Sequence, residues 1–162
     1  LRASYTAMRS FADVFNKSGE LCNKYGMKFG YHNHNFEFNK NLNGHSVYDI
    51  ILAHTDPNLV FLQLDMGNIY GTGADPIEIV KNNPGRFLSV HVKDEIKATE
   101  PGESPYESCI LGKGFAGTKK ITDLCAKVGG TTHFIVEQES YQGQTPLAAV
   151  KQDLAILKSW GY

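Results

Sequence analysis

Four apolar runs separated by helical segments constrain the fold of this chain more than any other feature. The runs cover residues 27–38, 59–68, 87–94 and 133–139. They are largely continuous rather than alternating, which is typical of strands that are buried on both faces of a sheet. Strands that alternate with helices form right-handed βαβ units. The sequence therefore predicts an α/β fold with about four βα units around a parallel sheet.

Helical signals lie before, between and after these runs. Ser46 with Asp49 has the pattern of a capping pair, and Pro76 after Asp75 has the pattern of a first helical turn. Together with apolar residues at helical spacing, these signals predict helices over 4–25, 46–54, 75–83, 118–128 and 145–161. These helices are expected to cover the sheet.

The segment after the third run is predicted to be irregular. Residues 95–108 hold two prolines and four glutamates, a composition that indicates a loop. A short strand is predicted over 109–111, before the tripeptide Gly112-Lys113-Gly114. That tripeptide lacks the glycine spacing and the Lys-Ser/Thr ending of a nucleotide-binding loop.

Length and charge exclude several classes of protein. The 162 residues, 41% of them hydrophobic, are enough to bury a core as one domain over 1–162. Sixteen basic side chains against seventeen acidic ones give no basic excess, so no nucleic-acid partner is predicted. No apolar run approaches the roughly 20 residues that span a bilayer, so no membrane partner is predicted.

Polar side chains follow each apolar run near its carboxyl end. The same-face pairs are Gln63 with Asp65, His91 with Lys93, and Glu137 with Glu139, and the first run offers His32, His34 and then Glu37. Parallel α/β sheets form their sites at the carboxyl ends of the strands. Polar groups are costly to bury unless they are paired or bound. The sequence therefore predicts a binding or catalytic site at this edge.

The order of the motifs resembles the sugar phosphate isomerase/epimerase family. The segments that carry the resemblance are YHNHNFEF (31–38), LDMGNIYGTGADP (64–76), VHVKD (90–94), LGKG (111–114) and IVEQE (135–139). That family belongs to the xylose-isomerase-like TIM barrels, so the resemblance implies a barrel of parallel βα units. Since a full barrel needs about 250 residues, we expect a partial barrel that corresponds to the C-terminal half.

The resemblance also implies a site for one divalent metal ion. Members of the family bind it through two Glu, one Asp and one His from the last four strands, and Asp65, His91 and Glu137 match these positions. Glu37 is favoured as the remaining ligand, with His34 as the alternative. This oxygen-rich set suits Mn²⁺, Mg²⁺ or Co²⁺, and Zn²⁺ is also compatible.

Further roles follow from the same resemblance. Glu37 and Glu137 would also serve as the acid/base pair, and Lys93 would neutralise the charge that develops on a substrate oxygen. The residues expected to bind substrate are His32, His34, Asn68 and Glu139. The expected partner is a small sugar molecule.

The favoured function is a metal-dependent isomerase or epimerase of a ketose or keto-sugar. It would remove the proton α to a carbonyl and pass through a metal-stabilised enediolate. A lyase or dehydratase acting on a keto-inositol or a 3-keto-glycoside is the alternative, because it begins with the same step. A catalytically incomplete binding or structural fragment comes next. An apurinic endonuclease is least favoured, since Asn68 replaces the histidine expected three residues after the strand-end Asp.

The chain start bears on partners and location. The chain begins Leu1-Arg2-Ala3 with no initiator methionine and no signal-like segment. We therefore expect part of a longer, cytoplasmic product. Because a half-barrel exposes an apolar strand edge, we also expect a homo-oligomer or a complex with an N-terminal half-barrel.

Overall fold

A parallel sheet lies at the centre of the fold. The computed structural model describes residues 4–100 and 104–162, so the chain start and residues 101–103 of the predicted loop lie outside the described residues. The strands are β1 (Phe29–His32), β2 (Asn41–Leu42), β3 (His45–Ser46), β4 (Val60–Asp65), β5 (Ser89–Val92), β6 (Asp94–Lys97), β7 (Tyr106–Cys109) and β8 (His133–Val136). The central sheet has the order β1-β4-β5-β8, and all its neighbours are parallel. The predicted fold class is confirmed.

The five predicted helices are present, together with two short ones. The helices are α1 (Tyr5–Lys24), α2 (Phe36–Asn39), α3 (Val47–His54), α4 (Met66–Ile69), α5 (Pro76–Asn82), α6 (Thr118–Leu124) and α7 (Pro146–Ser159). Ser46 and Asp49 form a capping box at α3, and the Asp75 side chain caps α5. A π-helical turn over Cys125–Gly129 extends α6. Within the described ranges, no helix has the length and apolar character needed to cross a membrane.

The central strands β4 and β5 contribute fully buried side chains to the core. Leu62 and Leu64 on β4, and Val90 and Val92 on β5, are fully buried. Burying a side chain of this size contributes about 1.5–3 kcal/mol to stability. These strands are therefore rigid supports for the residues at their carboxyl ends, Asp65 and His91.

Helix α7 carries exposed apolar side chains. Leu147, Val150 and Leu154 are 42–63% exposed, and they are spaced so that they lie along one side of the helix. We call these three residues the open apolar surface. Exposed apolar side chains grouped in this way are typical of an interaction site. Ile135 on the edge strand β8 is 43% exposed, and it pairs with His91, so it lies on the face of the sheet that carries the donor group.

The prediction of a loop over 95–108 is wrong for most of its described part. Strands β6 and β7 form an antiparallel hairpin in which Asp94 pairs with Cys109. The predicted strand over 109–111 is correspondingly wrong, because β7 ends at Cys109. The hairpin tolerates Pro105 because this residue accepts the Ala98 N–H through its carbonyl and need not donate.

The first apolar run is also shorter as a strand than the sequence predicts. Strand β1 ends at His32, and the chain then turns into α2, which contains Glu37. The run was continuous because α2 also buries part of its surface, including Glu37 itself. Glu37 therefore reaches its place from a helix and not from the first strand.

Candidate functional site

Three potential metal-binding side chains converge at the carboxyl ends of β1, β4 and β5. His32 and Asp65 end their strands, and His91 pairs with Asp65 across the sheet. Asp65 Oδ2 is 4.0 Å from His32 Nε2 and 3.8 Å from His91 Nδ1. One ligand atom from each residue lies within 4.8 Å of the other two. We call His32, Asp65 and His91 the donor group.

Asp65 is fully buried and is fixed by two asparagines. Its backbone N–H donates to Asn33 Oδ1 at 2.9 Å, and its carbonyl accepts from Asn33 Nδ2 at 3.2 Å. Its carboxylate accepts the Asn68 backbone N–H at 2.8 Å and the Asn68 side-chain amide at 2.9 Å. Burial raises the pKa of Asp65 to about 6, although Lys93 and the Asn68 N–H act in the opposite direction. These bonds hold the carboxylate facing both histidines.

Glu137 contacts the donor group from the end of β8. Its Oε2 contacts His91 Nδ1, and its Oε1 accepts from Lys93 Nζ at 3.3 Å. The hydrogen bond with His91 and the charge of Lys93 lower the pKa of Glu137 to about 2, against the effect of burial. The side chain is 25% exposed. An ionised and accessible carboxylate thus lies at the edge of the donor group.

Lys93 is a buried cation surrounded by acceptors. Its Nζ contacts the Glu139 carboxylate, and it lies 3.4 Å from Asn68 Oδ1 as well as near Glu137. Burial acts to lower the pKa of Lys93, but the neighbouring carboxylates, Asp65 first among them, outweigh burial and raise it. Lys93 is therefore positively charged at neutral pH and lies beside the donor group.

Glu37 is not a member of the donor group. It is fully buried, its Oε1 accepts from the Tyr31 hydroxyl, and its Oε2 accepts the His34 backbone N–H at 2.8 Å. One oxygen is thus engaged by a side chain of β1 and the other by the backbone of the segment that follows it. The metal and acid/base roles of Glu37 stay predictions, and the donor from β1 in this structure is His32.

The two histidines of the first motif have different environments. The His32 ring lies between two others, with centroids 4.6 Å from His91 and 4.8 Å from His34. His34 is exposed, and its ring stacks on Phe36 with the centroids 6.0 Å apart. His32 is thus part of the donor group, whereas His34 borders it.

A polar cavity of about 250 Å³ adjoins Lys93. Its lining includes Asn68, Lys93, Glu95, Tyr106, Glu107 and Glu139. The lining brings several amide, hydroxyl and carboxylate groups together, and such groups can bind a ligand that carries many hydroxyls. The structure thus places two of the predicted substrate-binding residues, Asn68 and Glu139, at this cavity. Larger cavities of about 410 and 430 Å³ beside α5 and Tyr70 contain no member of the donor group.

Sequence reasoning missed three residues that build this site. The Asn33 side chain accepts a hydrogen bond from the Asp65 backbone N–H, and the Ser108 hydroxyl accepts the Glu139 N–H at 2.7 Å. Glu95 lines the cavity two residues after Lys93. The parity of His91, Lys93 and Glu95 along an extended segment could have indicated Glu95, had the hairpin been recognised. Asn33 and Ser108 carry no local signal, because their partners are distant in the chain.

The donor group fits a divalent transition-metal ion. Two imidazoles and a carboxylate suit Mn²⁺, Co²⁺ or Zn²⁺ better than Mg²⁺, which prefers oxygen ligands. Burial and the nearby His91 lower the pKa of His32, which favours the neutral imidazole that binds metals. His32 Nδ1 is also buried with no hydrogen-bond partner in the described part of the chain. The group can therefore hold one such ion, with Glu137 within reach.

Comparison with known families bears directly on this arrangement. A family model described as xylose isomerase-like TIM barrel matches residues 2–160. The chain belongs to this family. The predicted recognition is confirmed, and the open four-stranded sheet is compatible with a partial barrel of this type.

Two individual relatives of this chain have the same name, inosose dehydratase. The chain is similar to an inosose dehydratase from Clostridium beijerinckii, with 35% identity over 152 residues, which is 93% of this chain and 49% of the relative. An inosose dehydratase from Clostridium botulinum is 36% identical over 83 residues, covering 51% of this chain and 27% of the relative.

Solved structures of other proteins share the fold of this chain. A sugar phosphate isomerase/epimerase from Parabacteroides distasonis superposes with a TM-score of 0.82 and 26% identity, covering 96% of this chain and 55% of that one. A probable 3-DHS dehydratase from Bacillus anthracis, with a TM-score of 0.66, 16% identity and coverage of 93% and 56%, shares the fold. The chain spans about half the length of the Clostridium beijerinckii relative and of these structures.

Proposed function

We propose that this chain is part of a metal-dependent lyase that removes water from a cyclic keto-polyol of the inosose class. The inosose dehydratase that is similar along 93% of this chain supports the substrate class. The observation that carries the proposal is the chain of contacts from the polar cavity to the donor group: Lys93 lines the cavity and contacts Glu137, and Glu137 contacts His91. Proton abstraction next to a carbonyl requires a base and groups that stabilise negative charge.

Glu137 is the proposed base. It is ionised and partly exposed, whereas Asp65 is fully buried and accepts two bonds from Asn68. A catalytic base must come within hydrogen-bond distance of the proton that it removes. The accessible position of Glu137 at the end of β8 allows this approach.

Lys93 is the proposed partner of the substrate's carbonyl oxygen. When the α-proton leaves, negative charge develops on that oxygen, and a buried ammonium nearby stabilises it strongly because little water screens the interaction. A divalent ion held by His32, Asp65 and His91 would supply Lewis-acid polarisation of the same carbonyl. Asn68 and Glu139 line the cavity and are the proposed contacts for substrate hydroxyls.

An isomerase or epimerase of a keto-sugar is the second candidate. The superposition on a sugar phosphate isomerase/epimerase at 26% identity favours it. Both candidates begin with the same proton abstraction, so the same residues would serve either. They differ in the product, because a lyase product lacks one molecule of water.

Hydrogen exchange at the α-carbon tests the shared first step. The chain is incubated with an inosose in D₂O with Mn²⁺, Co²⁺ or Zn²⁺, and mass spectrometry follows both deuterium uptake and loss of water. Glu137→Gln is expected to slow exchange by about 10²–10⁴-fold. Lys93→Met is expected to slow it by about 10²-fold.

Two exposed residues of α5 give matched controls for these variants. Glu78→Gln and Lys81→Met change side chains that are more than half exposed and pair only with each other among the ion pairs of the described residues. They are expected to leave exchange unchanged. A deuterated product without loss of water would favour the isomerase or epimerase, and no exchange with any of the three ions would overturn both candidates.

A further inference from the structure

Glu95 is a buried carboxyl group that lines the polar cavity. Glu95 is 6% exposed. It lies two residues after Lys93 on the extended segment that also carries His91. Side chains at this spacing point to the same side of the chain. Among the residues of ranges 4–100 and 104–162, none makes a hydrogen bond with its carboxyl group. The group is therefore free to contact a ligand.

The backbone of Glu95 is held firmly on both sides. Its N–H donates to Asp94 Oδ1 at 3.0 Å, and its carbonyl accepts the Phe115 N–H at 2.8 Å. It also pairs with Ser108 across the hairpin. Catalytic groups work best when a rigid element fixes their position. The hairpin thus presents the carboxyl group of Glu95 to the cavity at a fixed place.

The charge state of Glu95 differs from that of Glu107, another carboxylate at the cavity. Burial raises the pKa of Glu95 to about 7, Lys93 opposes this increase, and the charges of Asp65, Glu139 and Asp94 add to it. The pKa of Glu107 is instead lowered, because the Ser140 hydroxyl donates a hydrogen bond to it. A carboxyl group that keeps its proton near neutral pH can donate that proton.

We propose that Glu95 is the catalytic acid that protonates the departing hydroxyl during dehydration, an inference that rests on the proposed function. Glu137 takes the α-proton, and the electrons of the C–H bond form an enolate. The enolate then reforms the carbonyl, a C=C bond forms between the α- and β-carbons, and the C–O bond at the β-carbon breaks. The oxygen leaves with that electron pair, accepts the proton of Glu95 and departs as water. No oxidant or reductant is needed, and solvent restores the proton of Glu95.

Other acids at the cavity are less suited to this step. Lys93 is already engaged with Glu137 and Glu139, and its raised pKa makes its ammonium a weak acid. Glu139 is 67% exposed and contacts Lys93, so its carboxylate is committed to that cation. Glu95 combines burial, free oxygen atoms and a proton at neutral pH.

Separating the two chemical steps tests the proposal. Glu95→Gln keeps the shape of the side chain but cannot supply the proton. In the inosose assay in D₂O, this variant is expected to keep α-exchange within about threefold of the unmodified chain and to slow dehydration by about 10²-fold or more. The unmodified chain should lose dehydration activity as the pH rises above about 7, and the variant should lose that limb of the profile.

A second substrate protects the test against a folding defect. An inosose analogue with fluorine at the β-carbon loses fluoride, which needs less help from an acid, so Glu95→Gln should eliminate fluoride at nearly the normal rate. Dehydration at the normal rate by the variant would overturn the role of Glu95. Equal loss of exchange, dehydration and fluoride elimination would also overturn it, in favour of a structural role. Absence of exchange in the unmodified chain would overturn the proposed function itself.

Discussion

Asp65 and His91 pair across β4 and β5, and this register brings Asp65 Oδ2 within 3.8 Å of His91 Nδ1. The pair lies on the two most deeply buried strands of the sheet, so its geometry is set by the core. His32 and Glu137 approach it from the edge strands β1 and β8. A site with a rigid centre and contributions from both edges depends on the correct pairing of all four strands.

The donor from β1 can be identified by comparing two neighbouring histidines. His32→Ala is expected to weaken Mn²⁺ or Zn²⁺ binding by about 10²-fold or more, because it removes an imidazole of the donor group. His34→Ala, two residues away and exposed, is the matched control and is expected to change affinity by less than about threefold. Isothermal titration of the metal-free chain measures both. A larger loss with His34→Ala would return His34 to the ligand set.

Glu37 is expected to support the fold more than the metal. Glu37→Gln weakens the bonds from the Tyr31 hydroxyl and the His34 N–H, which should lower the free energy of unfolding by about 1–3 kcal/mol. Metal affinity should change little. Urea denaturation and metal titration of the same sample separate these effects. Complete loss of metal binding in a folded variant would restore the ligand role predicted from the sequence.

Asp94 is expected to be a main support of the segment that covers the hairpin. Its carboxylate accepts backbone N–H bonds from Gly112, Gly114 and Ala116, all within 2.8–3.1 Å. Asp94→Asn replaces an acceptor oxygen by an amino group, so at least one of these donors loses its partner, which should lower the free energy of unfolding by roughly 1–3 kcal/mol. Asp123→Asn, which breaks an exposed ion pair on α6, should cost less than about 1 kcal/mol. Similar losses in the two variants would contradict this account.

The pH dependence of stability should have opposite signs at Glu137 and Asp65 in the metal-free chain. The pKa of Glu137 falls from 4.5 to about 2 on folding, so its stabilising effect is present above pH 4.5 and is lost as the pH falls toward 2. The pKa of Asp65 rises from 3.8 to about 6, so its effect is present below pH 3.8 and is lost as the pH rises through 6.

Urea midpoints between pH 2.5 and 8 measure both effects. The stability difference between the unmodified chain and Glu137→Gln should shrink at acid pH. For Asp65→Asn, the loss of stability between about pH 4 and 6 should become smaller, and what remains comes from other groups such as Glu95. The same slopes in the variants as in the unmodified chain would rule out these two residues as the source.

The open apolar surface should drive association. Leu147, Val150 and Leu154 lie exposed along one side of α7. We expect sedimentation velocity to detect self-association of the chain at micromolar concentration, and Leu147→Glu with Leu154→Glu to shift it toward the monomer. Ala155→Glu is the control, because Ala155 is exposed on the same helix but is not three or four residues from any of these three side chains. A monomer at all concentrations would contradict the expectation of a partner.

Local patterns in the sequence predicted the central strands well but not the turns that follow them. Asp65 and His91 could be placed because continuous apolar runs mark buried strands and strand ends are where side chains converge. Glu37 could not be placed, because its position depends on bonds with Tyr31 and His34 after a turn that periodicity does not encode. Glu95 was missed because prolines and glutamates indicated a loop where cross-strand pairing forms a hairpin.

The order of strands in the central sheet has a consequence for folding. The order β1-β4-β5-β8 follows the order of these strands along the chain, so each strand docks on one that already exists. Each pairing still joins distant segments, such as Ser89 with His133, so these parallel contacts are expected to form slowly and one after another. Strand β8 docks last and brings Glu137 with it. The chain therefore acquires its proposed base only when folding is nearly complete, and earlier intermediates lack the chemistry of the finished site.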